Sequence, residues 1–433
     1  MSEKCKYKMR KIDVVLILTA IMGVSTLVFA QAKLKITIIG DSTVCNYASS
    51  KYPQAGWGQV LQRFFVTGSI TVNNRAIGGR STRSFYQEGR WTEIHSNLQK
   101  GEYVFIQFGH NDRDFSKAER YTDTTQYKEY LRKYVKESRD KGAVPVLISP
   151  MNMNAWNGAN VREVFCEGAN NYRGAMINVS KELNVPFIDL EKKSVELQKR
   201  MGQNYCAKFI YLGLEANEYT NFPEGVSDGT HFQEMGANFM AKFICEGIEE
   251  LKNDADMAKL AALLKPWFKV GVMSNKVNAG MITESGNFFP ESVSITIKVK
   301  SNRGEKFTGW FDSSGKQVSA SERYTFYMPA QDVSYSARFE GGEDPVRIAK
   351  EMVKPPLGPI DFSNGSITLV TPFNTAKIEL YSIDGCRVYS RKIYQSEEMS
   401  TINIPYKSLK TGNYILKTTL DGNETVNSFI KIK

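Results

Sequence analysis

From Leu34 to about Asn253, short β-branched runs alternate with segments whose apolar residues recur every three or four positions. The runs "LKITIIG", "SITVNN", "EYVFIQFGH", "AVPVLISP" and "VPFIDL" predict strands. In "YKEYLRKYVKESRDKG", Tyr127, Tyr130, Leu131, Tyr134 and Val135 share one helical face, and Gly142 marks its end. "QEMGANFMAKFICEGIEEL" places Met235, Phe239, Phe243 and Ile244 on a similar face. Such alternation predicts an α/β domain over 34–253, a parallel sheet covered by helices on both sides. Ligands of such sheets bind beyond the carboxyl ends of the strands.

The period shortens after the helix-like "ADMAKLAALLKPW". From 267 to 340 the runs "SVSITIKVK", "EKFTGWF", "RYTFYM" and "VSYSARF" predict a small β module. A Pro- and Gly-containing stretch, 341–360, reads as a linker. The remaining 361–433 alternate again, with hairpin signals at Asp384-Gly385 and Asp421-Gly422.

The 433-residue chain begins with basic "KCKYKMRK", an apolar run from Val14 to Phe29 and the small-residue ending "VFA". These predict a signal peptide over 1–30, cut after Ala30, with an uncleaved membrane anchor as the alternative. The formal charge is +10, of which five basic and two acidic residues of the leader supply +3, leaving about +7. No basic block interleaved with aromatics follows, which argues against nucleic acid as a partner. Without the leader, the cysteines are Cys45, Cys166, Cys206, Cys245 and Cys386. The odd number leaves at least one unpaired, and buried free thiols and disulfides stay equally open. None has metal-ligand spacing, so no metal is expected.

Four segments fall at predicted strand ends: Gly40-Asp41-Ser42, "NRAIGGRSTRSF", "GHND" and "DGTHF". Together they fit acyl transfer. A serine hydroxyl needs a base, and His231 can serve for Ser42 with Asp228 fixing its tautomer. The backbone N–H groups of Ser42 and Gly79 and the Asn111 side-chain amide can stabilise an oxyanion. Each piece has a plainer alternative. Ser42 can cap a helix, Gly78-Gly79 can form a tight turn, and Thr230 with Gln233 has the spacing of a capping box. Arg80 and Arg83 suit uronate carboxylates or are surface arginines. Trp57 and Trp91 can stack on sugars or pack in the core. His110 reads as structural, and His95 as a helix-surface residue without a role.

The blocks "GDST", "NRAIGGRSTRSF", "FIQFGHND" and "DGTH" resemble the SGNH (GDSL-type) hydrolases. "GWGQ", "EGRW" and "GAVPVLISP" resemble their rhamnogalacturonan acetylesterase branch, from about Leu34 to Leu251; residues 151–164 depart from the pattern. The resemblance implies a flavodoxin-like three-layer sandwich and cofactor-free catalysis by Ser42, Asp228 and His231, with Gly79 and Asn111 completing the oxyanion hole. It also implies acetyl removal from pectin-type plant cell-wall polysaccharide. An acetylxylan esterase, a broader esterase or lipase, and a non-catalytic glycan-binding protein are the rivals. The middle module resembles small bacterial repeat modules. The tail "IELYSIDGCRVYSR…FIKIK" resembles the sorting domains of type IX secretion, implying export to the medium or surface of a Gram-negative bacterium.

Overall fold

The computed structural model describes residues 33–276 and 278–342, together with six strand segments between 366 and 432. The predicted leader, the linker, Cys386, Asp384-Gly385 and Asp421-Gly422 lie outside the described residues. Two compact units divide the chain, 1–340 and 341–433.

In the first unit, β1 (Leu34–Gly40), β2 (Ile70–Asn74), β3 (Tyr103–Gln107), β4 (Val144–Ile148) and β5 (Phe187–Ile188) form one sheet. All neighbours are parallel, in the order β2-β1-β3-β4-β5. This is the flavodoxin-like order, whose connections reverse direction between β1 and β3 and open a crevice at their carboxyl ends. Side chains alternate across the sheet as strand geometry requires. Ile36, Ile38, Tyr103, Phe105, Val146 and Ile148 enter one core, while Ile39, Val104, Ile106 and Leu147 enter the other.

Helices α1 (Thr82–Gln87), α2 (Thr124–Asp140) and α3 (Tyr172–Leu183) cover the second face, and α4 (Leu190–Met201) and α5 (Glu234–Glu250) the first. Asp123 caps α2 by accepting from the Thr125 and Gln126 N–H groups at 2.8 and 2.9 Å. Tyr127, Leu131, Tyr134 and Val135 are buried, which fits the face read from their spacing.

Helix α5 is apolar nearly all round because it is covered twice. Beyond the sheet it meets the β module, where Phe239 packs edge-on to Phe289 with 5.5 Å between centroids and Asn238 Nδ2 donates to the Ser294 carbonyl at 2.6 Å. The module has a five-stranded sheet, Asn287–Pro290, Trp267–Ser274, Val333–Phe339, Phe307–Asp312 and Gln317–Ser319 in spatial order. A three-stranded sheet, Gly280–Ile282, Ser294–Ser301 and Arg323–Tyr327, packs with it. Ile295, Ile297 and Trp310 share one core with the α/β domain, so the module and that domain fold as one body.

The second unit contains a four-stranded antiparallel sheet, ordered Arg387–Ser396, Phe373–Ser382, Gly412–Leu420 and Asn423–Ile432. A pair, Ser366–Leu369 with Ser400–Asn403, accompanies it. Among the described residues no helix is long and apolar enough to cross a membrane.

Candidate active site

The chain leaves β1 in a turn rather than a helix. The Val44 and Cys45 N–H groups donate to the Asp41 carbonyl at 3.1 and 3.0 Å, so Ser42 caps no helix. Gly40 lets this turn sit close to β3: a Cβ there would lie 2.7 Å from the Gln107 carbonyl oxygen and 2.8 Å from Val44. The Asp41 carboxylate, fully buried, accepts from the Thr43 N–H at 2.9 Å and hydroxyl at 2.7 Å, and faces His110 Nδ1 at 3.3 Å. Burial opposes its charge, but His110 and Thr43 outweigh that and hold the carboxyl below the usual range. Asp41 precedes Ser42 and His110 precedes Asn111, so this pair struts the two loops. Tyr47 adds a further tie, its hydroxyl donating to the Ser42 carbonyl at 2.7 Å.

The loop after β2 runs against Ser42. A Cβ on Gly78 would lie 3.5 Å from the Ser42 Cβ, and Gly79 has φ +80°, a conformation that favours glycine. Among the described residues, neither the Ser42 nor the Gly79 backbone N–H has a hydrogen-bond acceptor. Asn111 is buried in the loop after β3, and its Nδ2 donates one hydrogen to the Arg80 carbonyl at 3.0 Å. The second amide hydrogen remains for another acceptor.

Asp228 and His231 lie on an added strand, β7 (Val226–Gln233), antiparallel to β6 (Tyr211–Leu214) and to Gln54–Ala55. Asp228 is opposite Leu212 but Phe232 is opposite Tyr211, so residues 229–231 bulge out of the ladder. Gln233 pins the strand beyond the bulge, its Nε2 donating to the Lys208 and Tyr211 carbonyls at 2.9 and 2.8 Å. Helix α5 then starts at Glu234 without a side-chain cap, so the capping-box spacing of Thr230 and Gln233 is not used.

The bulge brings His231 to Ser42. His231 Nε2 is 2.9 Å from Ser42 Oγ, and Nδ1 is 2.6 Å from Asp228 Oδ2. The other Asp228 oxygen accepts from the Thr230 and His231 N–H groups at 2.7 and 3.0 Å. Burial alone would raise the Asp228 pKa, but the His231 hydrogen bonds and charge overcome it and bring it down to about 2. An ionised Asp228 makes Nδ1 the donor and leaves Nε2 to accept the serine proton.

The remaining predicted residues divide. Sugar stacking by Trp57 and Trp91 is corrected: the side chains are 0% and 1% exposed, with no ring face open to a substrate. Their indole N–H groups donate to Gln107 and Glu137, both at 2.6 Å. Arg80 and Arg83 are half-buried on the rim. Arg80 pairs with Glu88 at 3.1 Å and donates to the Gly78 carbonyl, and Arg83 donates to the Ala118 carbonyl. His95 is half-buried beside Trp91 rather than on an open surface. Cys45, Cys166, Cys206 and Cys245 are all free, and burial pushes the Cys45 thiol up, away from a nucleophilic thiolate. Residue type had not pointed to Tyr47, the Asp41–His110 strut or Arg120, whose Nη1 would lie 3.7 Å from a Cβ on Gly79. The long polar stretch between β3 and α2 was the available signal.

A carboxylate, an imidazole and a serine hydroxyl in series, at the carboxyl edge of a flavodoxin-like sheet, define the layout of a serine hydrolase. Comparison with known proteins agrees. Residues 36–244 match the model of the GDSL-like lipase/acylhydrolase family, 270–343 a divergent InlB B-repeat domain, and 363–433 a secretion system C-terminal sorting domain. The chain is 36% identical to rhamnogalacturonan acetylesterase RhgT of Bacillus subtilis over 219 residues, 50% of this chain and 90% of that protein. It is 41% identical over 218 residues to the probable rhamnogalacturonan acetylesterase YesY of the same organism, 50% of this chain and 93% of that one. A solved structure of YxiM from Bacillus subtilis aligns with a TM-score of 0.43 and 25% identity, covering 52% of this chain and 58% of that one. The chain belongs to the GDSL-like lipase/acylhydrolase family. It is a carboxylic ester hydrolase of the carbohydrate-esterase type, with a C-terminal sorting domain.

Proposed function

We propose that this protein is an exported O-acetylesterase that deacetylates pectin-type polysaccharide, rhamnogalacturonan in particular. The observation that carries the reading is the His231 Nε2 contact with Ser42 Oγ at 2.9 Å, beside two amide N–H groups that have no acceptor among the described residues. Ser42 Oγ attacks the acetyl carbonyl as its proton passes to His231 Nε2. The ionised Asp228 stabilises the imidazolium, and the Ser42 and Gly79 N–H groups with the free Asn111 hydrogen receive the oxyanion. The imidazolium gives its proton to the departing sugar oxygen, which leaves as a hydroxyl. Water, deprotonated by His231, then attacks the acetyl-serine, and the imidazolium returns that proton to Ser42 Oγ as acetate leaves.

The substrate rests on the two Bacillus relatives, which align over nearly their whole lengths, one named a rhamnogalacturonan acetylesterase and the other a probable one. Export rests on the signal-like leader and the sorting-domain match, with type IX secretion across a Gram-negative outer membrane as the proposed route. The test compares acetate release from acetylated rhamnogalacturonan, acetylated xylan and a long-chain ester. The reading expects the first to be hydrolysed fastest and Ser42→Ala to release none. Preference for the xylan or the long-chain ester overturns the substrate, and equal release by Ser42→Ala overturns the nucleophile.

A further inference from the structure

The loop between β3 and α2 does more than carry Asn111. Its base closes at the Thr122 N–H, which donates to the Asp112 carbonyl at 2.9 Å, and the Tyr172 hydroxyl lies 3.2 Å from that carbonyl and 2.8 Å from that of Thr122. The result is a compact Ω-loop over 112–122. Inside it, the Asp114 carboxylate accepts from the Ser116 hydroxyl and from Arg120 Nη2, each at 2.6 Å. Further turns form as the Lys117, Arg120 and Tyr121 N–H groups donate to carbonyls at 3.0, 3.0 and 2.8 Å. Arg83 ties α1 to the loop at the Ala118 carbonyl.

On this pinned loop Phe115 is 82% exposed, the most exposed large hydrophobic residue described. An aromatic ring held in water on an internally bonded loop forgoes the favourable transfer that burial would bring. Arg120 stands at the other end of the loop, over Gly79. Its Nη2 is taken by Asp114, but its Nη1 has no acceptor among the described residues, and neither has its buried Nε. The two segments beside the oxyanion site, 75–90 and 109–122, carry seven Lys and Arg against four Asp and Glu. An excess of positive charge beside an open guanidinium edge suits an anionic polymer.

We propose that the Ω-loop 112–122 is a binding arm for an acidic sugar chain. Arg120 Nη1 receives a uronate carboxylate next to the acetyl site, and Phe115 stacks on the apolar face of a neighbouring sugar. This rests on the reading of the site as a carbohydrate acetylesterase. The loop's internal bonds hold its backbone and the Arg120 guanidinium in place before binding, which reduces the entropy lost on ordering them.

The test is a specificity ratio, kcat/KM on acetylated rhamnogalacturonan over kcat/KM on p-nitrophenyl acetate, for wild type, Phe115→Ala, Phe115→Trp, Arg120→Met and Arg120→Lys. Phe115→Ala and Arg120→Met each lower the ratio about tenfold, and Phe115→Trp keeps it. Arg120→Lys falls between, since it retains charge without the planar fork. The Arg120→Met defect also shrinks in high salt, because the charge it removes is only partly buried and salt screens its attraction for the polymer. Unchanged ratios in an active enzyme overturn the arm and leave the acetylesterase reading standing. A wild type that releases no acetate from the acidic polymer overturns the substrate reading, and the carboxylate role of Arg120 with it.

Discussion

Asp112, the last residue of "GHND", puts a carboxyl at a place that resists its charge. The carboxyl is 0% exposed, Oδ1 accepts from the Thr82 N–H at 2.9 Å and from its hydroxyl, and Oδ2 has no partner among the described residues. Burial, aided by the charge of Asp41, outweighs the Thr82 bonds and raises the pKa from 3.8 to about 7. A rise of about three units corresponds to about 4 kcal/mol. The sign follows from proton linkage. Between these two values the folded chain holds a proton that the unfolded chain has lost, so stability falls as pH rises. The contribution is intact below about pH 4 and lost as pH passes about 7, with about 2–3 kcal/mol of it falling between pH 5 and pH 8. Asp112→Asn keeps the acceptor for Thr82 and cannot ionise. Its amide donors lack an acceptor, but so does the hydroxyl of the protonated acid. Denaturant unfolding at pH 5, 6, 7 and 8 therefore shows the variant gaining about 2–3 kcal/mol on the wild type across the series. Parallel stability curves for the two chains would refute a raised Asp112 pKa.

Three further outcomes follow from contacts around the site. Asn111→Ala lowers kcat by about 10²–10³ on any acetyl ester, as loss of an oxyanion donor does, and stopped assays on purified protein read this directly. Asp228→Asn leaves the fold intact but lowers kcat by about 10⁴, since the imidazole loses both its tautomer control and its counter-charge. In the β module, Lys298 Nζ donates to Gln233 Oε1 at 3.1 Å and to the Lys208 carbonyl at 3.0 Å, and pairs with Glu218 at 2.5 Å. Lys298→Met strands a largely buried carboxylate and loosens the anchor beyond the His231 bulge. Stability falls by about 3–5 kcal/mol in thermal or denaturant melts, with kcat falling alongside it.

Much of the fold was legible because the strands are written in β-branched residues and the helices in single apolar faces. "LKITIIG" coincides with β1 residue for residue, and the Tyr127–Val135 face of α2 is buried. The base was legible by type, since a chain with three histidines leaves His231 few competitors, whereas Ser42 and Asp228 were marked by "GDST" and "DGTH". Their arrangement was less so. Thr230 and Gln233 have helix-start spacing, yet pairing of Phe232 with Tyr211 and Ala55 keeps the chain in a strand up to Glu234. Burial of Trp57 and Trp91 depends on Gln107 and Glu137, about fifty residues away in the chain, and no local pattern announces such partners. The second cover on α5 was present as apolar residues off its main face, Ala237, Met240, Ala241, Cys245 and Ile248. Arg120 had no periodicity to mark it, because an Ω-loop is held by side-chain bonds rather than by a repeating pattern.

The central claim is that Ser42 is the nucleophile activated by His231, and covalent labelling tests it most directly. A p-nitrophenyl phosphonate ester, which forms a stable adduct with an activated serine, is incubated with wild type, Ser42→Ala and His231→Asn. Modified peptides are then mapped by mass spectrometry. The account predicts one phosphonyl group per wild-type chain on the peptide containing Ser42, release of p-nitrophenol in step with the loss of acetate-releasing activity, and no adduct on either variant. Labelling at another residue with parallel loss of activity, or undiminished labelling of Ser42 in His231→Asn, would contradict it.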